Sequence, residues 1–131
     1  MEGLRVHHIG YLVKNAEKSA QTFEKLGYKR GQGGYDPIQK ADLLFLEMDG
    51  MVVELIAPKE DSDIYPLLSK YKNTAYHICY QVSDMEATMA ELQSQGYALF
   101  MAPVKAQVIG ESAKVCFLMN RNVGIIELVE M

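Results

Sequence analysis

His8-Ile9-Gly10-Tyr11-Leu12-Val13 and His77-Ile78-Cys79-Tyr80-Gln81-Val82 open two stretches of this chain that copy one another. Displaced by 69 positions, residues 8–28 (HIGYLVKNAEKSAQTFEKLGY) fall without a gap on residues 77–97 (HICYQVSDMEATMAELQSQGY), with seven identities in 21. Roughly one or two would arise by chance, so the match marks a repeated supersecondary unit. Each copy opens with a period-two strand, His8 to Val13 and His77 to Val82, and then meets a helix-capping residue, Asn15 or Asp84. In the helix that follows, Ala16, Ala20 and Phe23 fall on one face of the first copy, and Met85, Met89 and Leu92 take the equivalent places in the second. Both faces are expected to pack on a sheet. Gly27 and Gly96 end the helices in a left-handed conformation, and Tyr28 and Tyr97 start the next strands.

Beyond this the copies run on in parallel. A looser stretch, Arg30 to Lys40 or Met101 to Ser112, leads to a pair of apolar runs joined by a turn. In the first copy these are Asp42 to Met48 and Met51 to Ile56, joined at Asp49-Gly50, a strong hairpin signal. In the second they are Lys114 to Met119 and Gly124 to Val129, joined around Asn120-Arg121-Asn122. The offset grows from 72 at Phe45/Phe117 to 73 at Glu54/Glu127, as a turn one residue longer requires. Each copy therefore reads βαβββ, an α+β pattern. The chain divides into module one at about residues 5–58, a connector at 59–74 and module two at about 75–131, all within a single domain spanning 1–131. The polar connector should carry a short helix capped near Asp63, with Pro66 in its first turn.

Composition narrows the functional classes. At 131 residues, roughly two thirds of the unfolded surface can be buried, so a real core forms without staples. No apolar run approaches the roughly 18 residues that span a bilayer, and Met1-Glu-Gly-Leu-Arg lacks the basic and apolar regions of a signal peptide. A cytoplasmic protein without membrane partners is expected. The net charge of −4, with scattered Lys and Arg, argues against nucleic acid as a partner. Only Cys79 and Cys116 occur, in no CxxC pair, which fits reduced core thiols.

Two copies of one unit normally associate about an approximate two-fold axis, where equivalent side chains can meet. His8 and His77 open the first strand of each copy, while Glu54 and Glu127 sit in the last. Val52-Val53-Glu54-Leu55-Ile56 and Ile125-Ile126-Glu127-Leu128-Val129 place a carboxylate where burial alone is costly, since buried charges persist only when paired or bound to metal. A purely structural duplication would repeat mainly apolar residues and glycine. The recurrence of two His and two Glu instead makes an N2O2 donor set for one divalent metal ion, Zn, Ni, Co, Mn or Fe. His7 is turned to the opposite face by alternation and is left out. Cys79 shares a face with His77 but, opposite Gly10 in the alignment, reads as packing. Gly31-Gln-Gly-Gly lacks the spacing and lysine of a phosphate-cradling loop and reads as a flexible connector able to move over a site.

The first strand HHIGYLV, the central YHICYQV and the closing VGIIELVE resemble the vicinal oxygen chelate superfamily over essentially the whole chain. Within it the sequence looks most like the methylmalonyl-CoA epimerase-like proteins and then glyoxalase I. The bleomycin-resistance and dioxygenase branches are more distant. The resemblance implies paired βαβββ modules forming an incomplete barrel around a metal site, with His8, Glu54, His77 and Glu127 as ligands. It also implies a homodimer. The activity implied is metal-dependent removal of a proton next to a carbonyl through a stabilised enolate, as an isomerase, epimerase or lyase acting on a thioester or hemithioacetal. Glu127 is the base and Glu54 its pseudo-symmetric partner. Methylmalonyl-CoA epimerase-like activity leads, lactoylglutathione lyase (glyoxalase I) is the alternative, and a metal-free antibiotic-binding resistance protein is a further one. Epimerases commonly have glutamine at the position of Glu54, where bacterial glyoxalase I has glutamate. Epimerases also carry a loop glutamate before the third strand, where Tyr35-Asp36-Pro37-Ile38-Gln39 offers only Asp36. Lys40, Lys105, Lys114 and Arg121 are candidates by location for a coenzyme A or glutathione site.

Overall fold

The computed structural model describes residues 3–131. Met1 and Glu2, the first residues of the expected 1–131 domain and of the stretch Met1-Glu-Gly-Leu-Arg, lie outside the described residues. The elements are β1 (Arg5–Leu12), α1 (Ala16–Glu24), β2 (Lys29–Asp36), β3 (Ala41–Met48), β4 (Met51–Pro58), α2 (Tyr65–Tyr71), β5 (Thr74–Gln81), α3 (Met85–Ser94), β6 (Ala98–Lys105), β7 (Lys114–Asn120) and β8 (Gly124–Glu130). The architecture is α+β, with βαβββ written twice. No helix among the described residues is long and apolar enough to cross a membrane. One compact unit is His8–Tyr76, and the other joins Gly3–His7 to His77–Met131.

In the first unit the strand order is β2-β3-β4-β1, with β1 parallel to β4 and the other pairs antiparallel. Asn15 caps α1 by accepting from the Lys18 amide at 2.9 Å, as its residue type predicts. Ala20 is fully buried beneath the helix, and the Phe23 ring stands edge-on between Tyr11 and Tyr28, with centroids 5.3 and 5.1 Å away. These contacts fix the helix on the sheet through Val13, Leu46, Val53 and Leu55. Arg30 of β2 ties the outer side of the helix down, reaching both Glu17 and Glu24. The guanidinium, followed by the Gln21 amide, holds the Glu17 carboxyl down to about 2. This exposed pair therefore keeps its charge in any mildly acidic medium. At the β3–β4 turn Asp49 and Gly50 have φ of 54° and 78°, the doubly left-handed geometry of the turn that Asp-Gly favours.

The second unit repeats the plan as β5-β8-β7-β6, with β5 parallel to β8. Asp84 caps α3 through the Ala87 amide at 3.0 Å, and Glu130 accepts from the Met85 amide at 2.8 Å. Met85 and Leu92 pack against Val82, Cys116, Leu118 and Leu128, with Met89 beside them. On the opposite sheet face Ala106, Ala113 and Val104 close over Cys79, Val115 and Val129.

Three expectations need correction. Arg30 to Lys40 and Met101 to Ser112 are not loose from end to end, because β2 and β6 occupy Lys29–Asp36 and Ala98–Lys105. Both are edge strands with register shifts, at Arg30/Gly33 and at Leu99/Met101 and Met101/Val104. Bulges, glycine and Pro103 remove the regular alternation by which a strand is read. For the same reason Gly31–Gly34 is no flexible connector: Gly33 and Gly34 pair with Leu44 and Leu43. The connector helix α2 starts after Ile64, next to Asp63, with Pro66 in its first turn as expected, but no side chain caps it. Ser62, whose hydroxyl accepts from the Ile64 amide at 3.3 Å and donates to the Gln39 carbonyl at 2.6 Å, fastens that segment instead.

Gly33 is required by close approach. A Cβ there would lie 2.8 Å from the Leu43 carbonyl oxygen and 2.9 Å from Leu44 Cδ1, whereas at Gly31 the nearest atom is 3.6 Å away. G33A should lose about 1–3 kcal/mol in urea or thermal unfolding and G31A should lose almost nothing; equal stabilities would show that β2 is free to shift. Cys116 gives a second test. Burial first, then the Glu127 carboxylate, pushes its thiol up to about 11. The unfolded thiol ionises near 9, so this group costs no stability below that pH and destabilises the fold as pH rises toward 11. The native thiol should stay silent to a disulfide reagent at pH 8 and react once urea unfolds the chain; rapid native labelling assigned to Cys116 would contradict it.

Candidate metal centre

Strand register decides which side chains meet. In the first unit Gly10 of β1 lies opposite Glu54 of β4, and Phe45 of β3 lies opposite the same Glu54. Directly paired residues point to one sheet face, as do residues two apart along a strand. His8, Gly10, Phe45 and Glu54 therefore share a face, and His8 Nε2 comes to 3.1 Å from Glu54 Oε1. The second unit reproduces this with other neighbours. Cys79 and Phe117 both lie opposite Glu127, and His77 Nε2 is hydrogen-bonded to Glu127 Oε1 at 3.0 Å.

Burial makes these contacts energetically demanding. His8, Glu54, His77 and Glu127 keep only 1%, 3%, 4% and 1% of their surface exposed. A carboxylate moved from water into such surroundings without a donor or cation costs several kcal/mol. Each glutamate therefore needs the imidazole that the register supplies. Rings enclose the imidazoles as well: His8 meets Phe45 at 5.5 Å and 83° between planes, and His77 meets Phe117 at 5.2 Å and 86°. Each pair offers one imidazole nitrogen and one carboxylate oxygen, the donor types that zinc, nickel, cobalt and manganese accept.

The other candidates fare differently. Asp36 is buried, but its carboxylate accepts from the Ile38 amide at 2.9 Å, the Gln39 amide at 3.3 Å and Gln39 Nε2 at 3.1 Å. It is engaged in holding the β2–β3 turn. Lys40 reaches Asp61 at 3.7 Å. Lys105 and Lys114 are cross-strand neighbours at one end of the β6–β7 pair, while Arg121 lies in the turn at the other end of β7, so these three form no single basic patch. His7 alternates with His8 along β1, and Cys79 is fully buried, with one side against Ala106, Ala113, Val115 and Val129. Phe45 and Phe117 adjoin the pairs although phenylalanine in an apolar strand reads as core; their recurrence in Phe45-Leu46 and Phe117-Leu118 is the signal that the sequence offers.

Comparison with known proteins agrees with this plan. The family model for the Glyoxalase/Bleomycin resistance protein/Dioxygenase superfamily matches residues 7–117. No curated protein matches the chain. A hypothetical protein of Bacillus halodurans C-125 is 24% identical, with a TM-score of 0.87 over 99% of this chain and 96% of its own. A methylmalonyl-CoA epimerase from Mycobacterium tuberculosis is 23% identical, with a TM-score of 0.82 over 95% and 86%. A methylmalonyl-CoA epimerase in complex with methylmalonyl-CoA and NH4+ is 19% identical, with a TM-score of 0.85 over 98% and 95%. At such identities the structural likeness is one of fold. The family match covers most of the chain, which belongs to the glyoxalase/bleomycin resistance protein/dioxygenase superfamily.

Proposed function

We propose that the His8–Glu54 and His77–Glu127 pairs together hold one divalent metal ion, and that the chain uses it to remove a proton next to a carbonyl, epimerising a thioester of the methylmalonyl-CoA kind. The observation that carries this reading is the duplication of a buried imidazole–carboxylate pair at matching places in both units. Either pair alone would be an unusual core; two at equivalent positions are an investment in donors. Bound there, a divalent cation would withdraw electron density from the substrate carbonyl and so acidify the neighbouring C–H by several kcal/mol.

The remaining work falls to the chain. Glu127 takes the proton onto a carboxylate oxygen as the C–H bond breaks and its electron pair moves toward the carbonyl. In the reacting complex Glu54 enters as the protonated acid and releases its proton to the opposite side of that carbon as the enolate's electron pair returns, which inverts the centre and leaves Glu54 ionised and Glu127 protonated. Asp36 is not available as a third carboxylate, because three donors already hold it in its turn. Both carboxyls trade their protons with water between turnovers, so the proton returned to the carbon comes from solvent. The thioester assignment is supported by the fold shared with epimerases, one of them bound to methylmalonyl-CoA. A second reading, lactoylglutathione lyase acting on a hemithioacetal, is favoured by Glu54 itself, which stands where the epimerases that the sequence resembles commonly have glutamine. A homodimer in the cytoplasm belongs to the same proposal.

Elemental analysis of the purified protein should find about one transition metal per chain, and H77A and E127Q should each lose most of it. Unchanged metal content in both variants would dismantle the site, and a wild-type chain that refuses Zn, Ni, Co and Mn would make it a binding protein. With metal present, the protein should exchange the α-proton of methylmalonyl-CoA in deuterated water, and E127Q should slow this by on the order of 10²–10⁴-fold. Lactoylglutathione formation without that exchange would transfer the assignment to the second reading.

A further inference from the structure

Each imidazole of the two pairs stands against a phenylalanine in the same way. Phe45 and Phe117 meet His8 and His77 edge to face, at 83° and 86°, and are themselves 7% and 4% exposed. Each is also the ladder partner of the glutamate in its pair, Phe45 of Glu54 and Phe117 of Glu127. One ring thus adjoins both donors.

We propose that Phe45 and Phe117 are positioning residues that fix the ring planes of His8 and His77 and thereby set metal affinity, an inference that rests on the metal reading above. An imidazole turns about a soft terminal torsion, and a half-turn exchanges nitrogen for carbon at the position facing the carboxylate. A buried ring standing perpendicular to it resists that rotation, because a turned imidazole would lose its edge-to-face contact or press into the ring. At His77 the hydrogen bond to Glu127 fixes the position of one nitrogen, and the perpendicular phenylalanine adds a constraint on the plane of the ring.

The repeat supplies an internal control. Between residues 42–48 and 114–120 only Phe-Leu recurs, as Phe45-Leu46 and Phe117-Leu118. The leucines face the helices, packed in the cores formed with α1 and α3. On the face shared with the His–Glu pairs the neighbours have diverged, Leu43 against Val115 and Glu47 against Met119, while the ring between them is the same. General apolar filling would be met by leucine or methionine; an oriented partner for an imidazole requires the aromatic plane.

The test compares Phe117→Leu and Phe45→Leu with Leu118→Val, a change on the opposite face that weakens the core without touching the pair. In Co2+ titrations both phenylalanine variants should bind about 10–100-fold more weakly than wild type and shift the visible bands of the bound ion. Leu118→Val should lower the melting temperature and leave affinity and bands unchanged. In the metal-free protein, long-range 1H–15N spectra of the imidazoles should show one ring arrangement for His77 in the wild type and a mixture in Phe117→Leu. Phenylalanine variants that keep wild-type affinity, bands and ring signals overturn the proposal, as does a Leu118→Val variant that disturbs the bands equally. If the wild type takes up no Co2+, the metal reading falls, and the ring signals alone decide the role of the phenylalanines.

Discussion

A carboxylate removed from water must be answered by a donor, and in this chain that demand falls on Glu54 and Glu127, each in the innermost part of a hydrophobic strand. The answer comes from strand register. β4 lies between β1 and β3, and β8 between β5 and β7, so the glutamate of each central strand has a neighbour on either side. The parallel neighbour brings the histidine from two residues upstream of the paired position, and the antiparallel neighbour brings the phenylalanine. A one-residue slip of either pairing would turn one partner to the opposite face and leave a charge stranded in the core. The helices and turns can be viewed as devices that prevent this slip.

That view accounts for where stiffness is placed. α1 is capped at Asn15, clamped by Arg30 and pinned by Phe23 between two tyrosines, while α3 is capped by Asp84 and tied to the end of β8 through Glu130. Each device fixes the sheet face opposite the His–Glu pair. The edge strands are irregular in both units, but differently: β2 is polar and glycine-rich, packed so tightly at Gly33 that no side chain fits, whereas β6 carries Leu99, Phe100 and Pro103. Edge irregularity costs the centre nothing, since the glutamates lie two strands inward.

How much of this could be read in advance follows from the same physics. The repeated βαβββ plan was legible because period-two strands, capping Asn15 and Asp84, and the Gly27 and Gly96 helix ends are local signals that tertiary context did not override. The four polar residues stood out because His and Glu recurred inside apolar runs. The extent of β2 and β6 escaped, since bulged edge strands with glycine and proline show no alternation. The way the start of α2 is fastened escaped, because Ser62 bonds to Gln39, 23 positions away, which local capping rules cannot see. Asp36 could be noticed but not assigned, because whether a carboxylate is available depends on amides brought to it by the turn. The phenylalanines were hidden by their company.

The two hairpins that carry the glutamates have turns of unequal length, Asp49-Gly50 between paired Met48 and Met51, and Arg121–Val123 between paired Asn120 and Gly124. Nevertheless Phe45 still faces Glu54 and Phe117 still faces Glu127. An added residue was thus taken up wholly at the tip, where the chain is exposed, with no effect on pairing four rungs below. The tip of each hairpin is therefore mechanically decoupled from the buried pair, which gives evolution, or a protein engineer, a place to vary length and chemistry without retuning the centre.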